Sequence, residues 1–341
     1  MSASTPINVV QTGTLADFKV YPELFFSGYN EILQQNGQVF NANSNNTMRF
    51  EVRGIQGEFS QASFYKVIEG LVQERDPSSL APVESKKLEQ GELVSPKLNR
   101  RIGPIRNTMD SFKKISRDPE EFSFVLGQQY AQEQLLDLVN TATLSTVTAI
   151  ETVSPLVTDA TGLASPGIRA EYLIRAMSKF GDKAQRVNAW VMHSGAYHTL
   201  MENQAATGYT NVSDVIIYGG APGTLGKPVI VTDSPALTIV DVNGDVVGYN
   251  ILGLTENGVV LTESEDRYIT SKEELGRENI IMIIQGEAAM NISVKGFSYV
   301  GGANPSNTAL ATGANWEFQM HDPKLAAGVL LKVGIEDSVN D

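Results

Sequence analysis

Residues Asn99 to Asn140 constrain the fold more than any other stretch, because a basic segment broken by Gly103 and Pro104 runs into one long amphipathic helix. Pro119 suits the first helical position, where its fixed φ is already helical and its missing N–H would have no partner. Asp118 is placed to cap that end, and Glu120 and Glu121 face the positive pole of the helix dipole. Phe122, Val125, Leu126, Gln129, Gln132, Leu135, Leu136 and Val139 recur at three- and four-residue spacing, which predicts that they form the core-facing stripe. Nothing in the helix looks like chemistry. A Thr-rich stretch, Thr141 to Thr158, is read as the way out of it.

The chain has 341 residues, room for one large domain or two to three small ones, and a hydrophobic fraction of 42%, ample for a core. No apolar run approaches the roughly 18–20 residues that cross a bilayer. The opening MSASTPINVV lacks a basic region followed by an apolar core, so a secretory signal is not expected. With no cysteine, disulfides, thiol nucleophiles and thiolate metal sites are excluded. The net charge of −13 is uneven. Between residues 84 and 117 nine basic side chains stand against four acidic ones, an excess of five positive charges, leaving −18 on the rest. Phe112 is the only aromatic there, which is poor provision for stacking nucleic-acid bases. A basic segment on an acidic body is better suited to an acidic patch on another copy of the chain.

Ahead of this segment, residues 1–20 show little periodicity and read as an arm. Leu24, Phe25, Gly28, Tyr29, Ile32 and Leu33 fit a short amphipathic helix, with Asn36-Gly37 as its C-cap. Asn41 to Asn46 is too polar and turn-prone for a regular element and reads as a hinge. Thr47 to Arg53 alternates as a half-buried strand, with Met48, Phe50 and Val52 on one face. Residues 54–117 are rich in Gly, Pro, Ser and charge. They read as an extended two-stranded arm without a core of its own, in which Pro96 restricts Val94 to Arg101 to an edge or to a position that donates no ladder bond. Farther on, a helix starts at Ser165-Pro166 with Ile168, Tyr172, Leu173, Ala176, Met177 and Phe180 inward, and Gly181 stops it. Val187 to Met192 is a buried strand, Ser194 caps a helix to about Gln204, and Val229 to Thr232 is another strand. Asn243-Gly244 between β-branched runs predicts a hairpin with a type I′ turn. Strands follow at Ile251 to Leu261 and Ile280 to Tyr299, and Gly301 to Asn315 is irregular.

Candidate chemistry fails motif by motif. Gly219 to Pro228 invites comparison with a phosphate-binding loop, but Ala221 holds the first glycine position, Pro228 the hydroxyl position, and a strand follows. His193 and His198 are five apart, poor spacing for two ligands on one helix face. A Ser194 nucleophile would need glycines where Met192 and Ala196 stand. Asp241 to Asp245 has its glycine misplaced for a calcium loop, and Leu252 holds the position that needs Glu. The pairs Glu120-Glu121 and Glu273-Glu274 are adjacent and face different ways, unlike an acid/base dyad.

The run from Asn99 to Asn140 resembles the junction of long arm and spine helix in tailed-bacteriophage major capsid proteins, and Val187 to Gln204 and Thr224 to Leu237 resemble a strand–helix unit and the following strand of that family. The resemblance covers most of the chain, in the family's order. It implies an α+β Hong Kong 97 type fold: an N-terminal arm (1–50), an extended β-hairpin loop (51–115), the spine helix of a peripheral domain (116–149), an axial domain (150–275) and a return to the peripheral domain (276–341). It implies pentamers and hexamers of one subunit in an icosahedral head around a double-stranded DNA genome. The implied partners are a scaffolding protein, separate because no long helical pre-segment is seen, a portal, a decoration protein, and DNA met on the inner face without sequence specificity. Assembly would take place in the host cytoplasm and the product would be the virion, with no membrane, cofactor, metal or catalytic residue involved. Lys97, Arg100, Arg101 and Arg106 are the candidates for inter-subunit contact. An encapsulin-type compartment shell is the alternative, and a cytosolic serine hydrolase using Ser194 and His198 ranks last.

Overall fold

The computed structural model describes residues 41–52, 57–66, 85–108, 119–162, 167–206 and 224–335, together with 25, 27, 29, 31, 72, 74, 78 and 82. The chain divides into two compact units. The smaller is drawn from Met1–Asn36, Arg100–Leu135 and Arg267–Ala288, and the larger from Gly37–Asn99, Leu136–Asp266 and Ala289–Asp341.

In the larger unit the asparagine-rich run is a tied turn rather than a loose hinge. Asn41 to Asn43 are helical. Asn45 and Asn46 take φ of 51° and 54°, a left-handed conformation that asparagine tolerates better than most side chains. The Asn41 amide then grips the first strand, accepting from Phe50 N at 3.0 Å and donating to Phe50 O at 3.3 Å. That strand, β1 (Met48–Val52), buries Met48, while Arg49 and Glu51 pair outside at 2.9 Å. Strands β2 (Phe59–Tyr65) and β3 (Gln90–Thr108) form the antiparallel arm, Phe59 opposite Pro96. β3 is not an edge strand. Next to Pro96, Lys97 N makes the cross-strand bond to β2, donating to Glu58 O at 3.0 Å.

The expectation of a coreless arm fails at its base. Leu98 is fully buried in the unit's main core, and Phe59 packs against that core. Val94 N donates to Ser298 Oγ and Asn99 N to Asn304 Oδ1, each at 3.0 Å, so the return strand is pinned to its own subunit.

The long helix α1 (Pro119–Glu151) runs past the predicted exit and takes in most of the Thr-rich stretch. Threonine is a weak helix former when exposed. Here Thr141, Thr143 and Thr146 are buried, and their hydroxyls donate to Asp137 O, Val139 O and Ala142 O at 2.6–2.7 Å. Burial of the methyl groups and internal satisfaction of the hydroxyls override propensity. The Asp118 cap lies outside the described residues.

The rest of the larger unit is built on a six-stranded sheet. Its members are β4 (Val157–Ala160), β5 (Val187–Met192), β6 (Val229–Val231), β7 (Thr238–Val240), β8 (Val246–Thr255) and β13 (Gly328–Gly334), in the order β4-β13-β8-β5-β6 with β7 beside β8. β5, β8 and β13 are near-continuous apolar runs, as strands covered on both faces should be. Helix α2 (Ala170–Ser178) packs on β13 with Tyr172, Leu173 and Ala176 buried. It starts at Ala170, later than Ser165-Pro166, which lie outside the described residues. Helix α3 (Ser194–Ala206) follows β5 and buries Ala196 and Leu200. Strands β9 (Val259–Glu274), β10 (Ile281–Val294), β11 (Phe297–Tyr299) and β12 (Trp316–Phe318) complete the strand set, with β1 parallel to the start of β9. The irregular stretch holds one short helix, α4 (Asn307–Leu310), capped by the Ser306 hydroxyl.

The hairpin at Asn243-Gly244 is present, but not as a type I′ turn. That turn needs positive φ at both central residues. Within the tip only Gly244 has it, at 91°. Gly244 N bonds back to Asp241 O, and the Asp241 carboxylate accepts from Asn243 N at 2.8 Å and Asp245 N at 2.9 Å. The pairing of β7 and β8 shifts register beside it, at Ile239/Val240. An aspartate able to cap the turn selects a longer loop with a glycine bulge.

In the smaller unit, Phe25, Ile269, Met282 and Ile284 form a core to which Leu126, Tyr130 and Ile280 add. Phe25 and Tyr29 are helical and buried, as the amphipathic pattern predicts; Leu24, Gly28, Ile32 and Leu33 lie outside the described residues. Tyr29 Oη donates to Gln134 Oε1 at 2.6 Å. The predicted stripe of α1 is right only in part: Val139 is buried and Leu126 and Leu135 are half-buried, but the other members described face solvent. Val125, Gln129, Gln132 and Leu136 are exposed, while Ser123, Gly127, Ala131, Gln134 and Leu138 are buried. Small side chains mark the line of closest approach: a Cβ on Gly127 would stand 2.2 Å from Phe25 O.

Candidate functional site

The basic candidates do not share one environment. Lys97 is 6% exposed and buried in the larger unit, so it does not present its charge to a neighbour in this conformation. Arg100 is half-buried, and Arg101 and Arg106 are exposed. Arg106 already has an acidic partner in the smaller unit: its Nη2 lies 2.7 Å from Glu274 Oε2. Arg277 Nε reaches the other oxygen of that carboxylate at 2.9 Å. The Arg277 bond, more than the charge of Arg106, holds the Glu274 carboxyl below the usual range. One carboxylate shared by two exposed guanidiniums leaves a local positive excess, and a surface network of this kind contributes little stability by itself. Sequence reasoning missed Glu274 because it is 168 positions from Arg106 and only strand pairing brings them together.

His193 and Ser194, at the start of α3, serve the helix end rather than catalysis. His193, not Ser194, caps α3: its carbonyl accepts from Tyr197 N, and its Nδ1 accepts from Gly195 N at 3.1 Å. That bond assigns the remaining proton to Nε2, which lies 3.6 Å from Asp233 Oδ1. The ring stacks on Tyr249 with centroids 5.1 Å apart. Ser194 gives both its hydroxyl and its amide to Asp233, which holds that carboxyl below the ordinary range. A serine nucleophile needs its hydroxyl on a basic nitrogen. Here the hydroxyl is on a carboxylate and the basic nitrogen is on the backbone. His198 is exposed and meets Tyr197 edge-on.

The loop entering β6 is equally committed. Lys227 donates its ammonium to Val187 O, and partial burial lowers its pKa. The lysine therefore ties the loop to β5; Gly219 to Gly223 lie outside the described residues. Among the described residues no group of three or more His, Asp or Glu could hold a metal ion. No described helix is long and apolar enough to cross a membrane.

The family model described as "Major capsid protein 13-like" (Gp13-like) matches residues 17–330. The chain belongs to this major capsid protein family. No curated protein matches it. Among solved structures it is similar to the head of Helicobacter pylori bacteriophage KHP40, with a TM-score of 0.50 at 8% identity over 86% of this chain and 88% of that one. The capsid of Ralstonia phage GP4 (TM-score 0.49, 12% identity, 100% and 96% covered) and that of cyanophage Pam1 (0.49, 9%, 99% and 100%) are also similar. At such identity the KHP40 likeness establishes the fold, the expected α+β Hong Kong 97 type. The family establishes the function, a major capsid protein of phage heads and so a virion component that assembles with itself. The encapsulin reading is not favoured.

Proposed function

We propose that copies of this capsid subunit close into pentamers and hexamers of an icosahedral head around double-stranded DNA, assembling in the host cytoplasm with a scaffolding protein, a portal and a decoration protein as partners. The family match over 17–330 is the observation that carries this reading. The proposed division of labour is an arm at 1–50, an extended loop at 51–115 lying over neighbours, a spine at 116–149, an axial domain at 150–275 and a return segment at 276–341. In this reading Arg100, Arg101 and Arg106 guide the loop onto acidic surfaces of adjacent copies, while Lys97 is buried. A net charge of −13 suits a container whose lining must release DNA, since each neutralised phosphate strengthens the grip. The subunit is read as having no catalytic role, because the one Ser/His/Asp grouping considered is occupied in capping α3. Expression of the chain alone and together with a phage scaffolding protein, followed by negative-stain imaging, tests the reading. Uniform closed shells are expected, and a dispersed monomer at high concentration would overturn it.

A further inference from the structure

Val242, at the tip of the β7–β8 hairpin, is 101% exposed, the highest value of any large apolar side chain among the described residues. Val240, Val246 and Val247 flank it and are themselves about half exposed. The turn that carries it is fixed by its own bonds. Asp241 N donates to Asp245 O at 2.9 Å, Gly244 N to Asp241 O at 3.2 Å, and the Asp241 carboxylate takes the Asn243 and Asp245 amides. An apolar knob held out on a pre-formed turn gains nothing in the free subunit. It loses little entropy on meeting a partner, which is how pre-organised contacts acquire affinity. Its rim is acidic, with Asp241 and Asp245 on either side of the tip. That rim rules out packaged DNA as the occupant, because phosphates would be repelled. It also disfavours a tip-to-tip contact between two copies.

The same unit carries a surface of opposite character. On α2, Ile174 is exposed while Tyr172 and Leu173 beside it are buried. Arg175 lies next to it with its guanidinium 5.7 Å from the Tyr172 ring centre, and Lys179 is exposed one turn on. Glu171 is the one acid on that helix face. An apolar centre with a basic rim is therefore available to an apolar centre with an acidic rim.

We propose that the β7–β8 tip of one copy docks on α2 of the next, Val242 against Ile174, with Asp241 and Asp245 facing Arg175 and Lys179. Two different patches meeting make a head-to-tail contact, and such contacts close into rings when the rotation permits. The charges set the register and the valine supplies the buried centre. The proposal rests on the capsid-shell reading and names a contact within it.

The absence of native cysteine makes a direct test clean. Assembled heads carrying Val242→Cys and Ile174→Cys together are treated with a short bismaleimide and run on a denaturing gel. A ladder of covalent multimers is expected from the pair and from neither single variant. Val242→Asp should cut the yield of shells at least about tenfold while the far-UV spectrum of the subunit stays unchanged. Asp245→Lys and Lys179→Glu should each impair assembly, and the two combined in one chain should restore it. If wild-type heads form and the cysteine pair stays monomeric, or if Val242→Asp assembles at the wild-type yield, the contact is overturned and the shell reading stands. Capture of Val242→Cys by a different head protein would overturn it in the same way. Failure of the wild-type chain to assemble in the same co-expression would bring down the shell reading and this contact with it.

Discussion

Gly127 shows how one missing side chain can set a helix crossing. A Cβ there would meet Phe25 O at 2.2 Å and Tyr29 N at 3.2 Å, both backbone atoms that cannot swing aside. Alanine would gain up to about 1 kcal/mol of helix propensity. Overpacking against backbone costs typically about 1–3 kcal/mol, and this overlap is severe, so the cost wins. Gly127→Ala should lower the melting temperature, and a rise would refute the close approach. Titration acts at the same scale. Among the described residues six carboxyls are held below their ordinary range, each mainly by a hydrogen bond: Asp159 by the Thr161 hydroxyl, Asp182 by the Lys324 ammonium, and Asp233 by the Ser194 hydroxyl. The Asp245 amide does this for Asp241, Arg277 for Glu274, and the Lys324 amide for Asp322. With folded values below unfolded ones, the folded chain binds fewer protons in that interval, so stability rises with pH across it. The contribution is whole above the unfolded values, near about 4, and is lost as pH falls through the folded ones. Melting temperatures should be level from neutral pH to about 5 and decline below that. A subunit that melts higher in acid would contradict the sign.

At the scale of elements, the buried threonine turns of α1 carry both satisfied and unsatisfied hydroxyls. Ser145 is fully buried and its Oγ has no partner among the described residues. Removing an unpaired buried hydroxyl recovers part of a desolvation cost of about 1–3 kcal/mol, so Ser145→Ala should stabilise the subunit by about 1 kcal/mol. Thr143→Ala removes a methyl and the bond to Val139 O, and should destabilise by about 1–2 kcal/mol. Opposite shifts in thermal melts two residues apart are the expected signature; parallel shifts would show that burial alone governs the segment. The same helix marks what could be read from sequence. β5 is legible residue for residue, because a short, nearly unbroken apolar run, interrupted only by Asn188 and flanked by polar positions, has few other homes. The hairpin is legible in place but not in turn type, since Asp241 folds its carboxylate back over the tip. The inward face of α1 is not legible by counting apolar residues. Ser123, Gly127 and Ala131 are buried because they are small enough to let another backbone in, while Val125 and Leu136 stay outside.

For the whole molecule, the arm divides the free subunit from the assembled one. Its base is pinned by Val94, Leu98 and Asn99, whereas Tyr65 and Leu88 farther out are exposed. Amide exchange in the isolated subunit should therefore be slow at 94–99 and fast toward 60–66 and 85–90, and only the outer stretch should slow on assembly. Equal protection before and after would remove the arm from the contact. The charges on β3 lend themselves to a sharper experiment. Sequence alone ranks Lys97, Arg100, Arg101 and Arg106 together, because charge is visible there and burial is not. Lys97 is buried and Arg106 lies on Glu274, while Arg100 is half-buried and Arg101 exposed, and the adjacent pair Arg100 and Arg101 is the one to reverse because it moves the most charge at a single point of the strand. Changing both to Glu lowers the local excess from five positive charges to one and takes the chain from −13 to −17. Neither arginine belongs to the apolar cores, so far-UV spectra and melting should change little. Interactions between exposed charges reach about 8–10 Å at physiological salt, so the effect should be confined to the contact itself. Assembly of the double variant should fail at low salt and recover in part as salt screens the new repulsion, while the wild type weakens over the same range. If the variant assembles like the wild type at every salt concentration, these two arginines face solvent in the shell and the loop is guided by other groups.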